Sequence, residues 1–120
     1  MAQPDLTIYH NSRCSKSRGA LELLREQGIE PTIINYLDQP PTVDLLRELL
    51  AKLGLGPRDV LRRGEAAYRE RGLADPTLTD AQVLAAIAAE PRLLERPIVV
   101  SGDRAVLARP PERVLELLVD

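Results

Sequence analysis

The sequence of 120 residues predicts one small α/β domain, residues 1–120, with a mixed sheet read as β-α-β then β-β-α and a helical insertion over about 42–90. Three observations predict it. The alternating run Leu6-Thr7-Ile8-Tyr9 is followed by a helical stripe at Ser17, Leu21, Leu24 and Gly28, and then by a second β-rich run, Thr32–Tyr36. Between 42 and 90 the apolar spacing is helical throughout, with no convincing strand. Near the end, Pro97–Ser101 and Arg104–Leu107 flank Gly102-Asp103, whose two turn residues read as a tight antiparallel hairpin.

Each element has its own punctuation. Gly28 is placed to end the first helix in the left-handed conformation, and Pro31 prevents its resumption. A helix between two strands joined by short links makes a βαβ unit, which calls for parallel pairing and a right-handed crossover. Pro40-Pro41 break the chain, Thr42 suits an N-cap, and Leu46, Leu49, Leu50 and Leu53 form a stripe closed by Gly54. Pro57 opens a short third helix that carries Val60, Leu61, Arg62 and Arg63, and Glu65–Arg71 adds a turn or two ending at Gly72. Thr79-Asp80-Ala81-Gln82 has capping-box spacing ahead of Val83, Leu84, Ile87 and Ala88. The insertion is expected to cap the small sheet. Pro110-Pro111 precede a last helix whose apolar face is Val114, Leu117 and Leu118.

Composition narrows the class. Three Tyr and no Phe or Trp leave Leu, Ile, Val and Ala to fill the core. A net charge of −2 argues against a general nucleic-acid binder, though not against a local basic pocket. No apolar run approaches the roughly 18 residues of a membrane span, and the first residues lack a charged-then-apolar signal pattern. A cytoplasmic, monomeric protein is expected, with no membrane or nucleic-acid partner. One cysteine and one histidine exclude an internal disulfide and leave no metal cage.

That cysteine lies in His10-Asn11-Ser12-Arg13-Cys14-Ser15-Lys16-Ser17-Arg18, between the first strand and the first helix. At the start of a helix, unpaired N–H groups and the positive end of the dipole favour an anion. A thiolate is such an anion and is the reactive form of cysteine. A free cysteine is more often a small buried hydrophobe, but flanks dominated by Ser, Lys and Arg are no core sequence. His10 reads either as an exposed loop residue or as a group that supports the thiolate.

Arginine supplies planar donor forks that never deprotonate, which suits an oxyanion. Arg62, Arg96 and Arg109 stand near predicted element ends, and Arg96 and Arg109 bracket the hairpin, so antiparallel return brings both to one end of the sheet. Since 14 of the 16 basic residues are Arg, placement alone does not distinguish these three, and Arg63 competes with Arg62.

The order of elements, with a cysteine after the first strand and a proline opening the third, is that of the thioredoxin-like fold. Nearly the whole chain resembles the glutaredoxin-coupled arsenate reductase family. The resemblance is carried by Tyr9-His10-Asn11 with Cys14 and Ser17-Arg18, Glu30-Pro31-Thr32-Ile33-Ile34, Tyr36-Leu37, Pro40-Pro41, Val60-Leu61-Arg62, Gly72-Leu73-Ala74, Arg96-Pro97-Ile98-Val99-Val100 and Arg109-Pro110. It implies a nucleophilic Cys14 assisted by His10, with Arg62, Arg96 and Arg109 on the oxyanion, and Ser17 is expected to bind substrate beside Cys14. It further implies arsenate as substrate, no bound cofactor, glutathione as co-substrate, glutaredoxin as partner, and a proline at position 97 that is commonly cis. Residue spacing alone leaves Pro97 as an ordinary strand-entry proline.

Three other readings compete. A glutathione-linked thiol oxidoreductase without arsenate specificity needs the same cysteine. An RNA polymerase-binding redox regulator of this fold usually carries Cys-x-x-Cys, and Ser17 stands where the second cysteine would be. A phosphatase of the low-molecular-weight type needs Cys-x5-Arg, and position 20 is Ala20.

Overall fold

Strand β1, Leu6–His10, lies inside a four-stranded sheet of order β2-β1-β3-β4 in a computed structural model that describes residues 5–118. Strand β2, Thr32–Asn35, runs parallel to it with His10 opposite Asn35, joined through helix α1, Ser15–Glu26. Strand β3, Ile98–Ser101, pairs antiparallel on the other side with Tyr9 opposite Ile98, and β4, Arg104–Leu107, returns antiparallel to β3. This is the mixed α/β sheet that the sequence predicts. β2 stops at Asn35 because its carbonyl accepts from the Asp38 and Gln39 amides, so Tyr36 falls in a turn rather than in the strand.

The chain divides into two compact units, Met1–Gln39 with Arg96–Asp120, and Pro40–Glu95. In the first unit Leu6, Ile8, Ala20, Leu21, Leu24, Val99, Val106, Val114 and Leu117 form one apolar cluster. Leu21 and Leu24 come from the stripe of α1, and Gly28 ends that helix region with φ of 77°. The last segment, Pro111–Leu118, is a 3₁₀ helix rather than an α-helix. Its buried residues, Val114 and Leu117, are three apart, and in a helix of three residues per turn they eclipse on the side that is buried.

The second unit holds α2, Val43–Leu53, α3, Ala66–Glu70, and α4, Asp80–Ala89. The Thr42 hydroxyl accepts from the Leu45 amide, and Gly54 closes α2 in the left-handed region. Thr79 and Gln82 make the expected capping box. The predicted third helix is only a 3₁₀ turn, Pro57–Val60. It ends there because Leu61 bridges Leu94, the Arg62 amide donates to the Leu93 carbonyl at 2.7 Å, and the Glu95 amide to the Val60 carbonyl at 2.7 Å. Arg62 therefore lies on an extended segment, not in a helix, and the stretch from 42 to 90 is not wholly helical.

Leu24 is fully buried in the first unit's cluster, so Leu24→Ala removes packed volume as well as transfer energy. A loss of about 2–5 kcal/mol is expected in urea unfolding. A change under about 0.5 kcal/mol would contradict that packing.

Candidate active site

Cys14 is the N-cap of α1, with φ −96° and ψ 122°, half-buried and free. The helix starts there because the Cys14 amide donates to the Asn11 carbonyl at 3.0 Å, and the Arg18 amide returns to the Cys14 carbonyl at 3.0 Å. An N-cap side chain faces the unpaired amides of the first turn. The sulfur closes no capping hydrogen bond of standard geometry, yet it feels those amides. Burial pushes the Cys14 thiol up, but the Ser17 amide, the Arg96 guanidinium and the Lys16 amide together bring it below its ordinary value. The thiolate is favoured by fixed donors and one arginine.

The loop is pinned from below. Ser17 is completely buried; its Oγ lies 2.6 Å from His10 Nδ1 and accepts from the Asn11 amide at 3.0 Å. Asn11 Oδ1 in turn accepts from the Arg13 amide at 3.0 Å. His10 is the buried last residue of β1, not an exposed loop residue. Burial lowers its pKa below 6.5, and Arg18 and Arg25 lower it further, which favours the neutral ring. Its side-chain contact is with Ser17, and through that contact it braces the loop.

Arg96 and Arg109 meet at one end of the sheet, as the hairpin geometry requires. The Arg109 guanidinium donates through Nη1 to the Arg96 carbonyl at 3.0 Å. Arg96 is half-buried; burial alone would weaken its charge, but Tyr36 and Cys14 oppose that and raise its pKa. Tyr36 is completely buried, and the sequence gives no sign of its place beside Arg96. The Arg96-Pro97 and Arg109-Pro110 peptide bonds are both cis. The first of these agrees with the resemblance.

Arg62 belongs to the second unit. There its Nη1 donates to Glu95 Oε1 at 2.6 Å and its Nε to Glu65 Oε1 at 3.4 Å, while Arg63 is exposed. Arg18 holds the Ser12 carbonyl at 2.9 Å. Among the described residues no group of three or more His, Cys, Asp or Glu could hold a metal ion. No helix among them is long and apolar enough to cross a membrane.

Two titrations follow from these surroundings. The alkylation rate of Cys14 by iodoacetamide, followed against pH, should have its midpoint below that of the same cysteine in the urea-unfolded chain, and Arg96→Ala should move it upward. The single imidazole should titrate by NMR below 6.5, the direction set by its burial and its two arginine neighbours. A midpoint above that value would mean an imidazolium paired with the thiolate instead.

Comparison with known proteins identifies the family. The family model described as the ArsC family matches residues 9–117. The arsenate reductase of Escherichia coli K12 is 46% identical over 116 residues, 97% of this chain and 82% of that protein. The uncharacterized protein YfgD of the same organism is 46% identical over 112 residues, covering 92% of this chain and 94% of YfgD. The solved arsenate reductase from Vibrio cholerae superposes with a TM-score of 0.93 at 46% identity, covering 96% of this chain and 98% of that one. With a match that runs from the last residues of β1 almost to the end of the final 3₁₀ helix, the chain belongs to the ArsC family.

Proposed function

We propose that this protein is an arsenate reductase whose nucleophile is Cys14. The observation that carries the reading is a half-buried cysteine at a helix N-cap, lowered in pKa by amides and by Arg96, in a chain of the ArsC family. A thiolate needs an electrophile, and the cationic surroundings select one that arrives as an oxyanion.

The Cys14 thiolate attacks arsenic, a sulfur–arsenic bond forms, and one arsenic–oxygen bond breaks, its oxygen leaving as hydroxide that takes up a proton from solvent. A glutathione thiolate then bonds to the Cys14 sulfur. The sulfur–arsenic bond breaks with its electron pair on arsenic, which leaves as arsenite. Two sulfurs have lost two electrons and arsenic has gained two. Glutaredoxin attacks the glutathione sulfur of the resulting mixed disulfide and returns Cys14 as a thiolate. With one cysteine in the chain, the second sulfur must come from outside.

In this scheme Arg96 stabilises charge gathering on the arsenate oxygens, Arg109 fixes the Arg96 backbone and adds a second cation, and Ser17 and His10 position the loop. Arg62, which the resemblance sets on the oxyanion, lies in the second unit and pairs there with Glu95 and Glu65. No bound cofactor is required. A reduced thiol of this kind suits the cytoplasm, where glutathione keeps such groups reduced, and the protein is assigned there as a monomer.

The test is arsenate-dependent NADPH consumption in a coupled assay with glutathione, glutaredoxin and glutathione reductase. Cys14→Ser should reduce the rate to background. Arg96→Ala should cost about 10²–10³-fold in kcat/KM for arsenate, as for the loss of one oxyanion donor. Arg109→Ala should raise KM for arsenate about tenfold. An unaltered rate in Cys14→Ser would refute the assignment, and NADPH consumption independent of arsenate would favour the general thiol oxidoreductase.

A further inference from the structure

A cleft of about 380 Å³ opens beside the Cys14 loop, lined by His10, Ser12, Arg18, Leu21, Glu22 and Arg25. Its volume falls within the roughly 300–1,000 Å³ of small-molecule sites. Four of the six residues come from one face of α1: Arg18, Leu21, Glu22 and Arg25 stand at i, i+3, i+4 and i+7. Leu21 and His10 are buried, while Arg18, Glu22 and Arg25 are exposed. The other two residues, His10 and Ser12, lead directly into the loop that carries the sulfur.

We infer that this cleft binds glutathione as the incoming thiol, which names the site of the external reductant and rests on the thiol chemistry proposed above. The charges fit a zwitterionic tripeptide rather than a bare oxyanion. Glutathione at neutral pH carries two carboxylates and one ammonium, and the cleft offers two guanidinium groups and one carboxylate. Arg18 and Arg25 take the carboxylates, and Glu22 takes the ammonium. From position 18 to 25 a helix rises about 10 Å, close to the roughly 10 Å that three extended residues span.

The existing partners leave room for this. Arg18 spends Nη1 on the Ser12 carbonyl and retains further donors on its fork. Arg25 pairs with Glu30, but both side chains are more than half exposed, 51% and 69%, so this pair contributes little and yields to a ligand carboxylate. Leu21 gives an apolar patch to the peptide backbone. A small oxyanion would gain nothing from Glu22, whose charge repels it.

The probe is S-methylglutathione, which keeps both carboxylates and the ammonium but has no reactive thiol. Titrated into isotope-labelled protein, it should shift the amides of Ser12, Leu21, Glu22 and Arg25 saturably. Arg25→Gln and Glu22→Gln should each weaken binding about fivefold, the size of one exposed charged contact, whereas Arg25→Lys should lose less. In turnover, Arg25→Gln should lower the ratio of the rate with glutathione to that with β-mercaptoethanol about fivefold, because the uncharged thiol cannot use the contact. Shifts confined to other residues, or one affinity across all the variants, would overturn the inference. Binding that responds to both variants in a protein that reduces no arsenate would support this site and refute the reaction proposed above.

Discussion

The buried hydroxyl of Ser17 is the constraint on which the reactive loop depends. A hydroxyl with no water contact must be hydrogen-bonded, and Ser17 Oγ meets both the His10 ring and the Asn11 amide. Those contacts tie the third residue of α1 back to the end of β1, leaving the chain between them only one short path. Cys14 falls on that path at the N-cap, where the amides of the first turn face its sulfur. Thiolate character therefore follows from a serine that itself never touches the sulfur in its side-chain contacts.

The sheet register does the corresponding work for the arginines. Tyr9 opposite Ile98 and Ile98 opposite Leu107 align the end of β1, the start of β3 and the end of β4. Arg96 and Arg109 flank the hairpin and so arrive at the end where the Cys14 loop leaves the sheet. Their roles then divide. Arg109 donates to the Arg96 carbonyl and fixes where β3 begins. Arg96, with Tyr36 and Cys14 facing it, brings its guanidinium to the sulfur. Shortening Arg109 disturbs the placement of Arg96 as well as removing a charge, so the two arginines act as one unit and not as independent donors.

Much of this was legible in the residues, and the exceptions have physical causes. The strand runs, Gly28, the Thr42 and Thr79 caps and the Gly102-Asp103 turn are local signals that no tertiary contact overrides. Local spacing puts Arg62 in a helix because Pro57 starts a helical turn, but the end of that turn is set by pairing of residues 60–62 with residues 93–95, far along the chain and invisible to local spacing. A lone histidine carries no sign of its burial, so the sequence does not choose between a loop residue and a helper for His10. Ser17 did offer a sign: a polar residue on the same stripe as Leu21 and Leu24 faces the core, and must find a partner there. Tyr36 ends the predicted β-rich run and belongs to the Tyr36-Leu37 block of the resemblance, and neither signal tells that it faces Arg96.

Electron counting ties the site to what must approach it. Taking arsenic from the pentavalent to the trivalent state requires two electrons, and a thiolate pair supplies two only by becoming a disulfide. In the proposed reaction one sulfur is that of Cys14, and the sequence has no other cysteine. A resolving cysteine three positions on, as in Cys-x-x-Cys, would occupy position 17, where the buried Ser17 hydroxyl now braces the loop. A thiol there would accept the Asn11 amide and meet the His10 ring far more weakly than an oxygen does. The bracing of the Cys14 loop thus uses the very position an internal reductant would need, and in the proposed reaction the second sulfur is that of glutathione, approaching along the exposed side of α1.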